Sequence, residues 1–203
     1  MDSRQAAQTL EVIRTLMERT CQYRLLAAWA GLAAGSLAGA GALVLACVLN
    51  AESAAQFGAV WGLVFAGSLL ASVVGTVLRG RAVGESVWSR QARAVVLALA
   101  PALAAAAVLT AFFFARGEHR WLPGVWMLCY GQGALATAAY APAPIRWLGI
   151  TVLLLGSCTL WLGPAWAVIM MGLVFGLGHA GLGTALLIAE RRESAIRLHR
   201  SVA

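Results

Sequence analysis

The sequence predicts an all-α fold, a polytopic membrane helix bundle of six transmembrane helices led by an N-terminal amphipathic cytoplasmic helix. Three observations carry this prediction. The 203 residues are 61% hydrophobic and 11% charged, with a mean hydropathy of +0.81, whereas soluble chains carry about a quarter charged residues. The charges are gathered into short stretches separated by long uncharged runs. The basic residues, fifteen arginines and no lysine, fall almost entirely on alternate connections, the mark of a fixed membrane orientation.

The elements follow in chain order. Residues 4–24 are expected to form the amphipathic helix. Ala6, Leu10, Ile13, Met17 and Cys21 recur on one stripe, Glu11, Arg14, Glu18 and Arg19 lie elsewhere around the wheel, and Asp2 or Ser3 can cap the start. Two surfaces remain open for that stripe: the inner membrane face, with the helix as an elbow into the first span, or a partner, including the same helix of a second copy. Uncharged runs of 27, 26, 22 and 25 residues then follow, bounded by Arg24, Glu52, Arg79, Arg93, Arg116, Arg120 and Arg146. Each suffices for one helix across a hydrocarbon core about 30 Å thick, which takes about 20 residues. The last run, Trp147 to Ala189, has 43 residues and contains Gly163-Pro164 near its middle, so it is read as two helices joined by a tight hairpin. The expected spans are 25–49, 54–78, 94–115, 121–142, 146–162 and 165–189, together the 25–189 transmembrane domain, followed by a basic cytoplasmic tail over 190–203 in which the last span continues as a charged helix.

Orientation follows from the arginines. With the N-terminus inside, thirteen lie on cytoplasmic segments and only Arg116 and Arg120 outside, which supports an even number of spans with both termini cytoplasmic. The net charge of +7 thereby reads as topology and as attraction to anionic lipid; nucleic acid is not an expected partner. Trp121, Trp161 and Trp166 fall at expected outer ends and Trp29 and Trp147 near inner ends, where tryptophan anchors the interface. The first apolar run begins too late and is too long for a cleavable signal sequence. The alanine-rich, arginine-only composition suggests a bacterial protein, and hence the inner membrane.

Apart from Arg146 at the first position of the fifth, the spans as drawn contain no Asp, Glu, Lys or Arg. This weighs against proton-coupled transport, charged channel rings, carboxylate metal sites and most intramembrane hydrolysis, all of which need ionisable groups facing the interior. Cys21, Cys47, Cys129 and Cys158 are scattered without the Cys-x-x-Cys spacing and read as small packing residues. Dinucleotide, phosphate-loop and zinc motifs are absent, so no cofactor or metal is expected. A rhomboid-type protease would place a serine between glycines of the fourth span, where Gln132 stands between Gly131 and Gly133, leaving no nucleophile.

Among Asp, Glu, Lys, Arg and His, only His179 lies in the interior of the spans. It shares a stripe with Gly172, Gly176 and Gly183, which at 100° per residue fall within about 60° of one another. Small residues at this spacing admit close helix neighbours, and a buried imidazole there is expected to be neutral and hydrogen-bonded. The fourth span carries Tyr130, Gly133, Thr137 and Tyr140 on one stripe and Cys129 and Gln132 beside it, which places it near the bundle centre. Tyr130, Gln132, Thr137 and His179 form the candidate intramembrane polar site, with Gln132 expected to bond His179. Gly31, Gly35, Gly172, Gly176 and Gly183 are the expected helix-packing residues, with Ala38 and Ala42 continuing the first-span stripe.

Four segments carry a resemblance: Met17-Glu18-Arg19 before the first span, Trp126-Met127-Leu128-Cys129-Tyr130-Gly131-Gln132-Gly133-Ala134-Leu135, Pro144-Ile145-Arg146-Trp147-Leu148-Gly149, and Phe175-Gly176-Leu177-Gly178-His179. Through them the chain resembles uncharacterised bacterial six-span integral membrane proteins over most of its length. The resemblance implies topology and no activity. Two functional expectations follow from the residues. The first is a non-enzymatic membrane protein, an accessory subunit or an oligomer, working through helix packing and partner binding in the bilayer. The second is a small-molecule binding or transport component with its site between the fourth and sixth spans, for an apolar or weakly polar ligand.

Overall fold

A computed structural model describes residues 25–49 and 53–202, together with Gln5. The amphipathic helix expected over 4–24 lies outside the described residues. Among those described the chain is all-α, without strands. It forms α1 (Ala28–Cys47), α2 (Ala54–Val83), α3 (Arg90–Ala115), α4 (Leu122–Thr137), α5 (Ala143–Thr159) and α6 (Pro164–Val202), with a single 3₁₀ turn at His119–Trp121 leading into α4.

Helices α1, α2, α3 and the Trp166–Arg192 part of α6 are long and apolar enough to cross a membrane. α4 and α5 have 16 and 17 residues, which at 1.5 Å per residue reach about 24–26 Å and fall short of a core about 30 Å thick. Proline accounts for the shortening. Pro142, with ψ 148°, holds the chain extended between the two helices, and Pro144 occupies the first turn of α5, where its missing N–H costs nothing. Residues 138–142, assigned from the sequence to the fourth span, are thereby spent on the turn.

Elsewhere the helices overrun the charges that bound the uncharged runs. α2 continues past Arg79 and Arg81 to Val83 and stops at Gly84, whose φ of +70° is open to glycine at little cost. α3 starts at Arg90 because the Ser89 side chain caps it, accepting from Ala92 N at 3.2 Å. Arginine is a good helix former and can extend its charge to the interface, so the first charge marks the membrane boundary and not the helix boundary. The tight hairpin forms where Gly163-Pro164 suggested, and α6 then runs unbroken for 39 residues, about 58 Å.

Helices consecutive in the chain are antiparallel, and so are α1 and α6. α1 and α6 form the most extensive pair; α2 packs on α1, α5 on α6 and α4, and α3 on α4. One end of the bundle holds the start of α1, the end of α2 and the start of α3, shown by Gly75 against Ala27 and by the Leu25–Ala92 cluster. An ion pair between Arg79 and Glu190 joins α2 to α6 at that end. The other end is closed by a core of Leu45, Phe57, Trp61, Leu122 and Val168.

The outer surface is apolar. Leu63, Leu97, Val108 and Leu177 are 74%, 72%, 69% and 70% exposed, and α3 buries only Ala92 and Ala106. So much exposed aliphatic surface is untenable in water and normal against lipid, making this a helical membrane protein. The exposed tryptophans Trp29, Trp88, Trp121, Trp147, Trp161 and Trp166 lie at or near helix ends, while Trp61 belongs to the core and Trp126 packs against it.

Candidate functional site

The two small-residue stripes read separately from the sequence meet each other. A Cβ built on Gly35 would lie 2.6 Å from Ala180 N and from Gly176 O, and one built on Gly183 would lie 2.7 Å from Ala28 O and Leu32 N. These are backbone atoms, which cannot swing aside, so only glycine permits this approach. Gly31 faces Gly183, Gly172 faces Ala42, and Gly176 faces Gly35 and Gly39. All five glycines named from the sequence therefore lie on the α1–α6 seam.

His179 sits at the flank of that stripe. Its backbone follows the seam while its side chain crosses to α4, where the Tyr130 hydroxyl lies 2.7 Å from Nε2. The other ring nitrogen, Nδ1, is 2.9 Å from the Phe175 carbonyl one turn back. A carbonyl only accepts, so Nδ1 carries the proton, and in the neutral ring Nε2 accepts from the Tyr130 O–H. Phe175 completes the cluster, its ring 5.3 Å from that of Tyr130 and 5.8 Å from that of His179.

Of the four expected site residues, the structure brings together Tyr130 and His179 only. The expected Gln132–His179 bond is not made, because both imidazole nitrogens are already taken and Gln132 lies two residues further along α4, on a face turned to α3 and the exterior. Thr137 is buried and donates to Ala134 O of its own helix at 2.8 Å. The fourth span thus divides its polar groups between α6 on one side and α3 on the other.

Sequence reasoning missed a second polar link. Trp126 Nε1 donates to Thr110 Oγ1 at 2.8 Å, and Thr110 in turn donates to Ala106 O at 2.7 Å, tying α4 to α3 within the apolar zone. The available signal was Thr110, a hydroxyl in the otherwise apolar third run. Trp126→Phe is expected to lower stability by about 1 kcal/mol, read as a shift in the unfolding midpoint in detergent, with Thr110→Val giving a similar loss and the double variant little more. Fully additive losses would show that the pair is not coupled.

Two buried nitrogens have no hydrogen-bond partner among the described residues: Trp61 Nε1 and His119 Nδ1. Both rings pack on Phe57, and the His119 ring also stacks on Phe114, closing the bundle end opposite the Arg79–Glu190 pair. No group of three or more potential metal ligands occurs among the described residues. Cys47, Cys129 and Cys158 are free thiols, only Cys129 buried.

With this geometry in hand, comparison with known proteins finds no matching family model, curated protein or solved structure.

Proposed function

We propose that this chain is a non-enzymatic integral membrane protein that works as an accessory subunit or oligomer, through helix packing and partner binding. The observation that carries the reading is the direct Tyr130–His179 bond. The two polar groups best placed to receive a ligand between α4 and α6 satisfy each other, with the remaining imidazole nitrogen on the Phe175 carbonyl. A ligand there would first have to break a hydrogen bond shielded from water, which favours assembly over the small-molecule reading. Within the apolar zone, Thr110, Thr137 and Trp126 are likewise engaged with protein partners.

In this reading the chain crosses a bacterial inner membrane six times. α4 and α5 form a short re-crossing hairpin, with the 3₁₀ turn before α4 lengthening its passage. The arrangement of charge supports both termini being cytoplasmic: Arg79, Arg81, Arg90, Arg93, Arg146, Arg191 and Arg192 lie toward one end of the bundle and Arg116 and Arg120 toward the other. Native mass spectrometry of the gently extracted protein tests the function. The expected spectrum contains a dimer, a higher oligomer or a second subunit. A monomer carrying a small molecule that His179→Ala releases would overturn the proposal in favour of ligand binding.

A further inference from the structure

The strongest unassigned feature is a groove of about 320 Å³ on the outer surface between α3 and α4. Ala98, Pro101, Ala102 and Ala105 supply one wall, at helical spacings of three and four residues, and Gln132 and Ala136, one turn apart, supply the other. The groove is shallow and open, and beside it Gly133 lets α3 and α4 come close: a Cβ there would lie 2.6 Å from Leu99 Cδ1 and 3.1 Å from Ala102 Cβ.

Its chemistry sets it apart from the rest of the lipid-facing surface. Gln132 is exposed, away from the charged helix ends, and its amide has no hydrogen-bond partner among the described residues. Pro101 has no N–H, so it removes the donor that the Leu97 carbonyl would receive in an uninterrupted helix. Acyl chains cannot satisfy the Gln132 amide, and a polar group left unpaired in hydrocarbon is costly. Whatever covers the groove must offer both donors and acceptors.

We infer that a second copy of this chain covers it, the two grooves meeting face to face about a twofold axis. A primary amide carries both donor and acceptor atoms, so the Gln132 side chains of two copies can bond each other, or the opposing Leu97 carbonyl, with no further group required. A twofold contact demands such a self-complementary surface. The alanines on the α3 wall permit close backbone approach, as small residues do at membrane helix interfaces. α3 is also the helix least covered by its own chain, burying only Ala92 and Ala106. This inference rests on the assembly reading above and names its surface and its partner.

The test is single-molecule photobleaching of the full chain, dye-labelled and diluted into phosphatidylethanolamine and phosphatidylglycerol vesicles. The wild type is expected to dimerise, and Gln132→Leu to weaken the dimer about tenfold through loss of the interhelical amide bonds. Ala105→Leu, which fills the groove from an exposed position, is expected to act similarly, and Leu63→Ala on α2 to have no effect. The unfolding midpoints of the variants, matched to the wild type, show that the fold survives. An oligomer unchanged in Gln132→Leu and Ala105→Leu overturns the inference and leaves the assembly reading standing. A wild-type monomer that captures a different subunit in a Gln132-dependent way overturns the second copy as occupant. A wild-type monomer with no subunit at all overturns both.

Discussion

Gly35→Leu is expected to separate α1 from α6 and to destabilise the fold by about 3 kcal/mol or more. The reason is geometric. Even the Cβ of an alanine at this position would lie 2.6 Å from Ala180 N and Gly176 O, and relief requires moving one whole helix against the other. The four-carbon leucine side chain would open the seam over several turns and strip Gly31, Gly172 and Gly183 of their contacts. Gly35→Ala is expected to cost about 1–3 kcal/mol for the same reason. Gly39 and Gly181, on the same two helices, have nothing within 4 Å of a built Cβ, so their alanine variants should stay within about 0.5 kcal/mol of wild type. Denaturant titration in detergent micelles reads the series. A Gly35→Leu protein as stable as Gly39→Ala would refute the close α1–α6 approach.

The second large effect is expected at His179. His179→Ala removes the acceptor for Tyr130 and the ring packed on Phe175, and leaves a hydroxyl facing a void. A loss of about 2–4 kcal/mol is expected from the cavity and the orphaned donor together. Tyr130→Phe keeps the ring and removes only the hydroxyl, so about 1 kcal/mol is expected. In the double variant His179→Ala with Tyr130→Phe, the loss should be smaller than the two single losses added. The coupling should be about 0.6–1.7 kcal/mol, the range for polar pairs between membrane helices. Strict additivity would show that the two side chains do not bond in the folded protein.

The small-residue stripes illustrate how far periodicity reaches. Spacing shows that Gly172, Gly176 and Gly183 share a face and that Gly31 and Gly35 share another, because helix geometry is local. It does not show that the two faces meet, since α1 and α6 lie at opposite ends of the chain. Gln132 and Tyr130 make the same point within one helix. Two residues apart, they lie about 200° apart around it, so a single span can send one polar group to α6 and the other to α3. Grouping both with His179 treated a polar circumference as a polar face. The Arg79–Glu190 pair and the Trp126–Thr110 bond were hidden for a related reason: each joins residues whose own surroundings resemble an ordinary helix end or an ordinary apolar run.

Proline and glycine placement explains the boundaries in the same terms. Gly163-Pro164 marks a break wherever it occurs, because it bears on backbone conformation directly. Pro142 and Pro144 act with equal force, yet they lie inside an uncharged run, and counting charges passes over them.

Composition and local pattern alone therefore determined that this protein is helical and belongs in a membrane, that its chain breaks at Gly163-Pro164, and which faces of its first and last spans admit close packing. Hydropathy and helix periodicity depend only on residues within a turn or two of each other. The tertiary structure decided which faces meet, that His179 is held by Tyr130, and that Gln132 looks outward. Those outcomes depend on the order in which the helices pack, a property of contacts between residues far apart in sequence.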